Sequence, residues 1–86
     1  MSDPARFNVK LFGPQAQLAG RSLISLDLDT DATTADQIMQ DLTRQLPELA
    51  ASLPSSRLAV NHEYVDQQHP VTPGDELALI GMVSGG

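Results

Sequence analysis

The apolar residues of this chain alternate along its first strands, then switch to helical spacing, then return to alternation, and that change of period limits the folds open to it. In Phe7-Asn8-Val9-Lys10-Leu11-Phe12, the residues Phe7, Val9 and Leu11 fall on one face of a strand. Gly13-Pro14 ends the segment, and a loop through Gln15–Ala19 leads to Gly20. A second strand, Ser22–Leu28, sets Ile24, Leu26 and Leu28 on one face. Two strands joined in this way read as a hairpin.

From Thr34 the period becomes helical. Thr34 and Gln37 fit a capping box, and Asp36 suits the positive end of the helix dipole. Ile38, Met39, Leu42, Leu46 and Leu49 form one stripe. Pro47 cannot donate within a helix interior, so the helix should stop near Gln45 or Leu46. Glu48–Leu53 reads as a separate helical turn closed by Pro54. Arg57–Val60 is a short strand, Asn61-His62-Glu63 a polar turn, and Tyr64-Val65 another short strand. Thr72-Pro73-Gly74-Asp75 is a turn before the last strand, Glu76–Ile80. Leu77 and Leu79 share one face of that strand, and Ala78 and Ile80 the other.

The chain has 86 residues and no cysteine, so no disulfide, thiolate metal site or cysteine nucleophile is available and the fold must rest on one apolar core. A helix with one apolar stripe and a sheet that needs one face covered make an α+β layer pair. The element order is that of the β-grasp, or ubiquitin-like, arrangement: a mixed sheet of four to five strands packed on one main helix. The domain is expected to span residues 1–80, with 81–86 as a flexible tail.

The net charge is −6, and Lys10 is the sole lysine. Nucleic acid binding needs clustered Lys and Arg, so it is not expected. The acidic field favours encounter with a basic partner, or serves solubility alone. No apolar run is long enough to span a bilayer, and the first residues lack the basic and apolar regions of a signal peptide. The expected location is the cytoplasm.

Asp27, Asp29 and Asp31 resemble the opening of a calcium loop, but Ala32 and Ile38 stand where that loop needs Gly and Glu. His62 and His69 match no metal-ligand spacing, so no metal site is expected. No nucleophile elbow, phosphate loop or triad is present. What remains is Gly81-Met82-Val83-Ser84-Gly85-Gly86. Fully extended, it reaches roughly 20 Å. Paired glycines make it thin enough for a narrow channel. A terminal carboxylate, ionised at neutral pH, can attack the α-phosphate of ATP to form an acyl adenylate. A sulfur donor can then displace AMP and leave a thiocarboxylate.

Three stretches carry a resemblance: Leu58-Ala59-Val60-Asn61, His69-Pro70-Val71-Thr72-Pro73-Gly74-Asp75-Glu76-Leu77, and Val83-Ser84-Gly85-Gly86. Leu11-Phe12-Gly13-Pro14 with Gly20 adds to them. With these the chain resembles the small subunit of molybdopterin synthase, a sulfur-carrier family close to the thiamine-pathway carriers. It differs from that family's pattern at Ala16-Gln17, where Arg-Glu is common, and at Gly81-Met82, where Pro-Pro is common. The resemblance implies that Gly86 carries the adenylate and then the thiocarboxylate. It implies that Gly81, Met82, Val83, Ser84 and Gly85 enter a partner's active site, and that Phe12, Tyr64 and Ile80 form an apolar partner interface. The implied partners are the large synthase subunit, an adenylating enzyme related to ubiquitin-activating enzymes, and a sulfur donor. No cofactor is bound in this scheme, and ATP is used by the activating partner. A carrier for thiamine or cysteine synthesis, a ubiquitin-like modifier and a non-catalytic β-grasp interaction module remain alternatives.

Overall fold

The structure, a computed structural model, describes residues 4–81. Strand β1 (Ala5–Leu11) buries Phe7, Val9 and Leu11 and exposes the residues between them, as its alternation predicts. It pairs antiparallel with β2 (Leu23–Leu28), which buries Ile24 and Leu26. Helix α2 (Ala35–Gln45) begins where Thr34 Oγ1 accepts from the Gln37 backbone N–H at 3.3 Å, and its own run ends before Pro47. Ile38 and Leu42 on its inner face are wholly buried. Two 3-10 turns, Pro47–Leu49 and Leu53–Ser55, carry the chain to β4 (Ser56–Val60). Leu49 is also wholly buried.

The hairpin from β4 to β5 (Glu63–Tyr64) turns on Asn61 and His62, both at positive φ, 52° and 72°. Two successive central residues with positive φ mark the type I′ turn, whose twist matches that of the strands it joins. The last strand, β7 (Leu77–Gly81), lies in the middle of the sheet, parallel to β1 and antiparallel to β4. The strand order is β2-β1-β7-β4-β5. A separate two-stranded ladder joins β3 (Thr33–Thr34) to β6 (Pro70–Val71) and ties the start of α2 to the approach to the last turn. One face of the main sheet packs on α2 around Phe7, Val9, Ile24, Leu26, Ile38, Leu42, Leu77 and Leu79. This is an α+β β-grasp fold with a mixed five-stranded sheet.

One expectation is corrected. Gln15–Ala19 is not a loop but part of a short helix, α1 (Gly13–Ala19). Pro14 sits in its first turn, where a missing N–H costs nothing, and Gly20 closes it at φ 74°. The Gly-Pro pair therefore ends a strand and opens a helix at once. No helix among the described residues is long and apolar enough to cross a membrane.

Candidate functional site at the outer sheet face and the end of β7

Among the described residues, the face of the sheet turned away from α2 has no covering layer. Strand parity sends Arg6, Asn8 and Lys10 of β1 to that face, together with Ala78 and Ile80 of β7 and Arg57 and Ala59 of β4. Ala59 stands opposite Tyr64 in the β4–β5 hairpin. Phe12 and Tyr64 are each about half exposed, at 51% and 52%. Phe12, Tyr64 and Ile80, far apart in sequence, line one shallow concavity of about 370 Å³. The structure thus brings the three expected interface residues together. Gly81 is the final residue of β7, and Met82, Val83, Ser84, Gly85 and Gly86 lie outside the described residues.

Charged groups rim the concavity. Glu76 Oε2 is 3.5 Å from Lys10 Nζ and 3.1 Å from His62 Nε2. The Arg57 guanidinium stacks over the Tyr64 ring, 5.3 Å from its centroid. Behind them, two turns are tied together. Asn61 Nδ2 donates to Asp75 Oδ1 at 3.1 Å, and the Thr72 N–H donates to Asp75 Oδ2 at 2.9 Å. The Asn61 carbonyl oxygen of the side chain accepts from the Glu76 N–H at 3.0 Å. The Thr72 backbone N–H, and then the Asn61 amide, hold the Asp75 carboxyl below its ordinary range. This lattice fixes the turn that presents His62 and Tyr64.

A second recess of about 370 Å³ continues from Phe12 and Ile80 past Gly81 to Gln15, Ser52 and Ser56. Sequence reading missed Gln15, which is only 4% exposed. Its amide orientation follows from the hydroxyls around it. Ser56 Oγ donates to the Ser52 carbonyl at 2.7 Å, and Ser52 Oγ donates to the Leu49 carbonyl at 2.9 Å. Both hydroxyls have spent their protons, so each can only accept, and Gln15 Nε2 faces both of them. Gln15 Oε1 is left buried without a donor among the described residues. A lone polar residue on a seven-residue helix gives no periodic signal by which sequence alone could have found it.

A larger concavity, about 810 Å³, opens instead between α2 and residues 65–68 and contains none of Phe12, Tyr64 and Ile80. Among the described residues, no group of three His, Asp or Glu side chains is placed to hold a metal ion. His69 serves through its backbone, where its carbonyl accepts from the Ala35 N–H at 3.0 Å.

A family model described as the ThiS family matches residues 9–86. The chain is 35% identical over 83 residues to the molybdopterin synthase sulfur carrier subunit of Dictyostelium discoideum, covering 94% of this chain and 96% of that one. Among solved structures it is similar to SAMP1 from Haloferax volcanii, with a TM-score of 0.82 and 26% identity over 94% of this chain and 99% of that one. It also shares its fold with a chain in the complex of subunits 1 and 2 of the molybdopterin-converting factor from Helicobacter pylori. There the TM-score is 0.63 at 20% identity, over 94% of this chain and 99% of the other.

Proposed function

The chain belongs to the ThiS family, and on that premise we propose that it is a sulfur carrier, the small subunit of molybdopterin synthase. The carboxylate of Gly86 attacks the α-phosphate of ATP on an adenylating partner, and pyrophosphate leaves. A sulfur donor then displaces AMP and leaves a thiocarboxylate. The large synthase subunit receives the tail, Met82 to Gly86 beyond the end of β7 at Gly81. The thiocarboxylate sulfur bonds to a carbon of a pyranopterin precursor, and water then cleaves the acyl C–S bond, leaving sulfur on the precursor and returning the Gly86 carboxylate. ATP belongs to the activating partner. The expected setting is the cytoplasm.

The observation that carries this reading is the gathering of Phe12, Tyr64 and Ile80 on the uncovered sheet face, beside the strand that leads to the Gly-Gly sequence. An apolar cluster outside the core is a docking surface in want of a partner. The identity to the Dictyostelium carrier subunit supports the pathway. The likeness to SAMP1, also named small archaeal modifier protein 1, favours a ubiquitin-like modifier as a second reading. Both readings use the same terminal carboxylate.

Deleting Gly86 moves the carboxylate back by roughly 3.3–3.6 Å, and a misplacement of about 1 Å can cost on the order of a hundredfold in rate. The test is ATP–pyrophosphate exchange with the cognate adenylating enzyme, followed by the mass gain for one oxygen replaced by sulfur. Wild type is expected to be active in both, and the Gly86 deletion and a chain extended by one residue inactive in both. Full activity of either altered chain overturns the carrier reading. Restored molybdopterin formation with the large subunit decides for the synthase pathway over the modifier.

A further inference from the structure

The outer sheet face departs from the charge of the whole chain. The net charge is −6 from eleven acids and five Lys and Arg, yet three of those five, Arg6, Lys10 and Arg57, belong to this face by strand parity. Two of them are already engaged. Arg6 Nε lies 3.0 Å from Asp27 Oδ1, and Lys10 Nζ lies 3.5 Å from Glu76 Oε2. Arg57 has no carboxylate within ion-pair distance among the described residues. Its guanidinium rests instead on the Tyr64 ring.

Register places Arg57 beside the end of β7. Arg57 is opposite Ile80, and Ser56 is opposite Gly81, so the Arg57 backbone flanks the last ladder positions of β7 while its guanidinium lies over Tyr64 of β5. We propose that Arg57, stacked on Tyr64, is the anchor for a carboxylate of the large synthase subunit, which docks an apolar pocket wall with an acidic edge on Phe12, Tyr64 and Ile80. The inference rests on the carrier reading above and names the partner chemistry at that interface.

Three physical points support it. A guanidinium stacked on a ring keeps its planar fork of donors free at the edge, and that fork matches a carboxylate in two parallel hydrogen bonds. The stacking has already removed part of the side chain's freedom, so less ordering remains to oppose binding. The neighbouring apolar side chains exclude water on docking, which strengthens the ion pair. The acidic remainder of the chain does not prevent this, because its field is screened over about 8 Å at physiological salt and contact is governed by the nearest groups.

The experiment is titration calorimetry of the full-length chain against the large subunit encoded in the same genome, at two salt concentrations. The variants are Arg57→Glu and Arg57→Met, with circular dichroism confirming that each is folded. Arg57→Met keeps an apolar stem over Tyr64 and removes only the charge and the donors. Wild type is expected to bind with an affinity that falls with salt. Arg57→Glu should bind at least about tenfold more weakly, and Arg57→Met should bind more weakly with a flatter salt dependence. If both variants bind as wild type does at both salt concentrations, Arg57 is not an anchor and the inference is overturned while the carrier reading stands. Absence of wild-type binding, with adenylation of Gly86 also absent, overturns the carrier reading itself.

Discussion

Gln15 lies against Gly81, so close that a Cβ built on Gly81 would stand 3.5 Å from Gln15 Oε1. Helix α1, the 52–56 segment and the end of β7 therefore meet at one buried amide. The contact is ordinary van der Waals distance, so Gly81→Ala is accommodated and lays a methyl over the unpaired oxygen. The expected change in unfolding free energy is within about 0.5 kcal/mol, read from the urea midpoint.

The unpaired oxygen itself is open to test. Replacing a buried polar group by an apolar one of similar shape removes its desolvation cost. Ser52 and Ser56 keep their own donations to backbone carbonyls when Gln15 is gone. Gln15→Leu should leave the domain equally stable or more stable by up to about 1 kcal/mol. A loss of stability in chemical denaturation would show that the bonds from Nε2 to Ser52 and Ser56 outweigh the cost of the unpaired oxygen.

Leu42 is wholly buried under the sheet. Leu42→Ala should cost about 2–5 kcal/mol, a large share of what a small domain holds. An unchanged denaturation midpoint would contradict its place in the core.

Ile80 marks the other side of β7, half-buried on the outer face. Ile80→Asp would bury an unpaired charge in the docked complex but not in the free domain. The thermal midpoint should stay close to wild type while affinity for the large subunit is lost. Equal affinity removes Ile80 from the interface.

Asp75 gives a pH dependence. Its folded pKa lies below the ordinary 3.8 because the Thr72 N–H and the Asn61 amide bond the charged form. Such a group stabilises the fold above its unfolded pKa and loses that contribution as pH falls through the lower folded value. Wild type should exceed Asp75→Asn in thermal midpoint at neutral pH, and the gap should shrink as pH drops below 3.8. A gap that does not change with pH would mean that the Asp75 charge contributes nothing.

The alternation of Phe7, Val9 and Leu11, the stripe of Ile38, Leu42 and Leu46, and the Thr34 cap were legible because each repeats a local period or completes a local motif. Phe12 and Ile80 were legible as residues off the core parity, and the structure sets them side by side with Tyr64. Helix α1 was not legible, since seven residues complete barely two turns and its Pro14 doubles as a strand terminator. The β3–β6 ladder has two residues on each side, too few to show alternation, and it joins segments distant in sequence. Gln15 depends on serines roughly forty positions away in the chain.

The central seat of β7 makes the domain all-or-nothing. Val9 pairs with Leu77, and Leu58 pairs with Leu79, so both β1 and β4 wait for the same late strand. A chain interrupted before residue 77 would hold two raw edges with nothing between them and half a core exposed. Such a fragment should not hold the outer sheet face in folded form, because β7 supplies Ala78 and Ile80 to it. Each folded copy of the face that gathers Phe12, Tyr64 and Ile80 thereby includes the strand that precedes the Gly-Gly sequence.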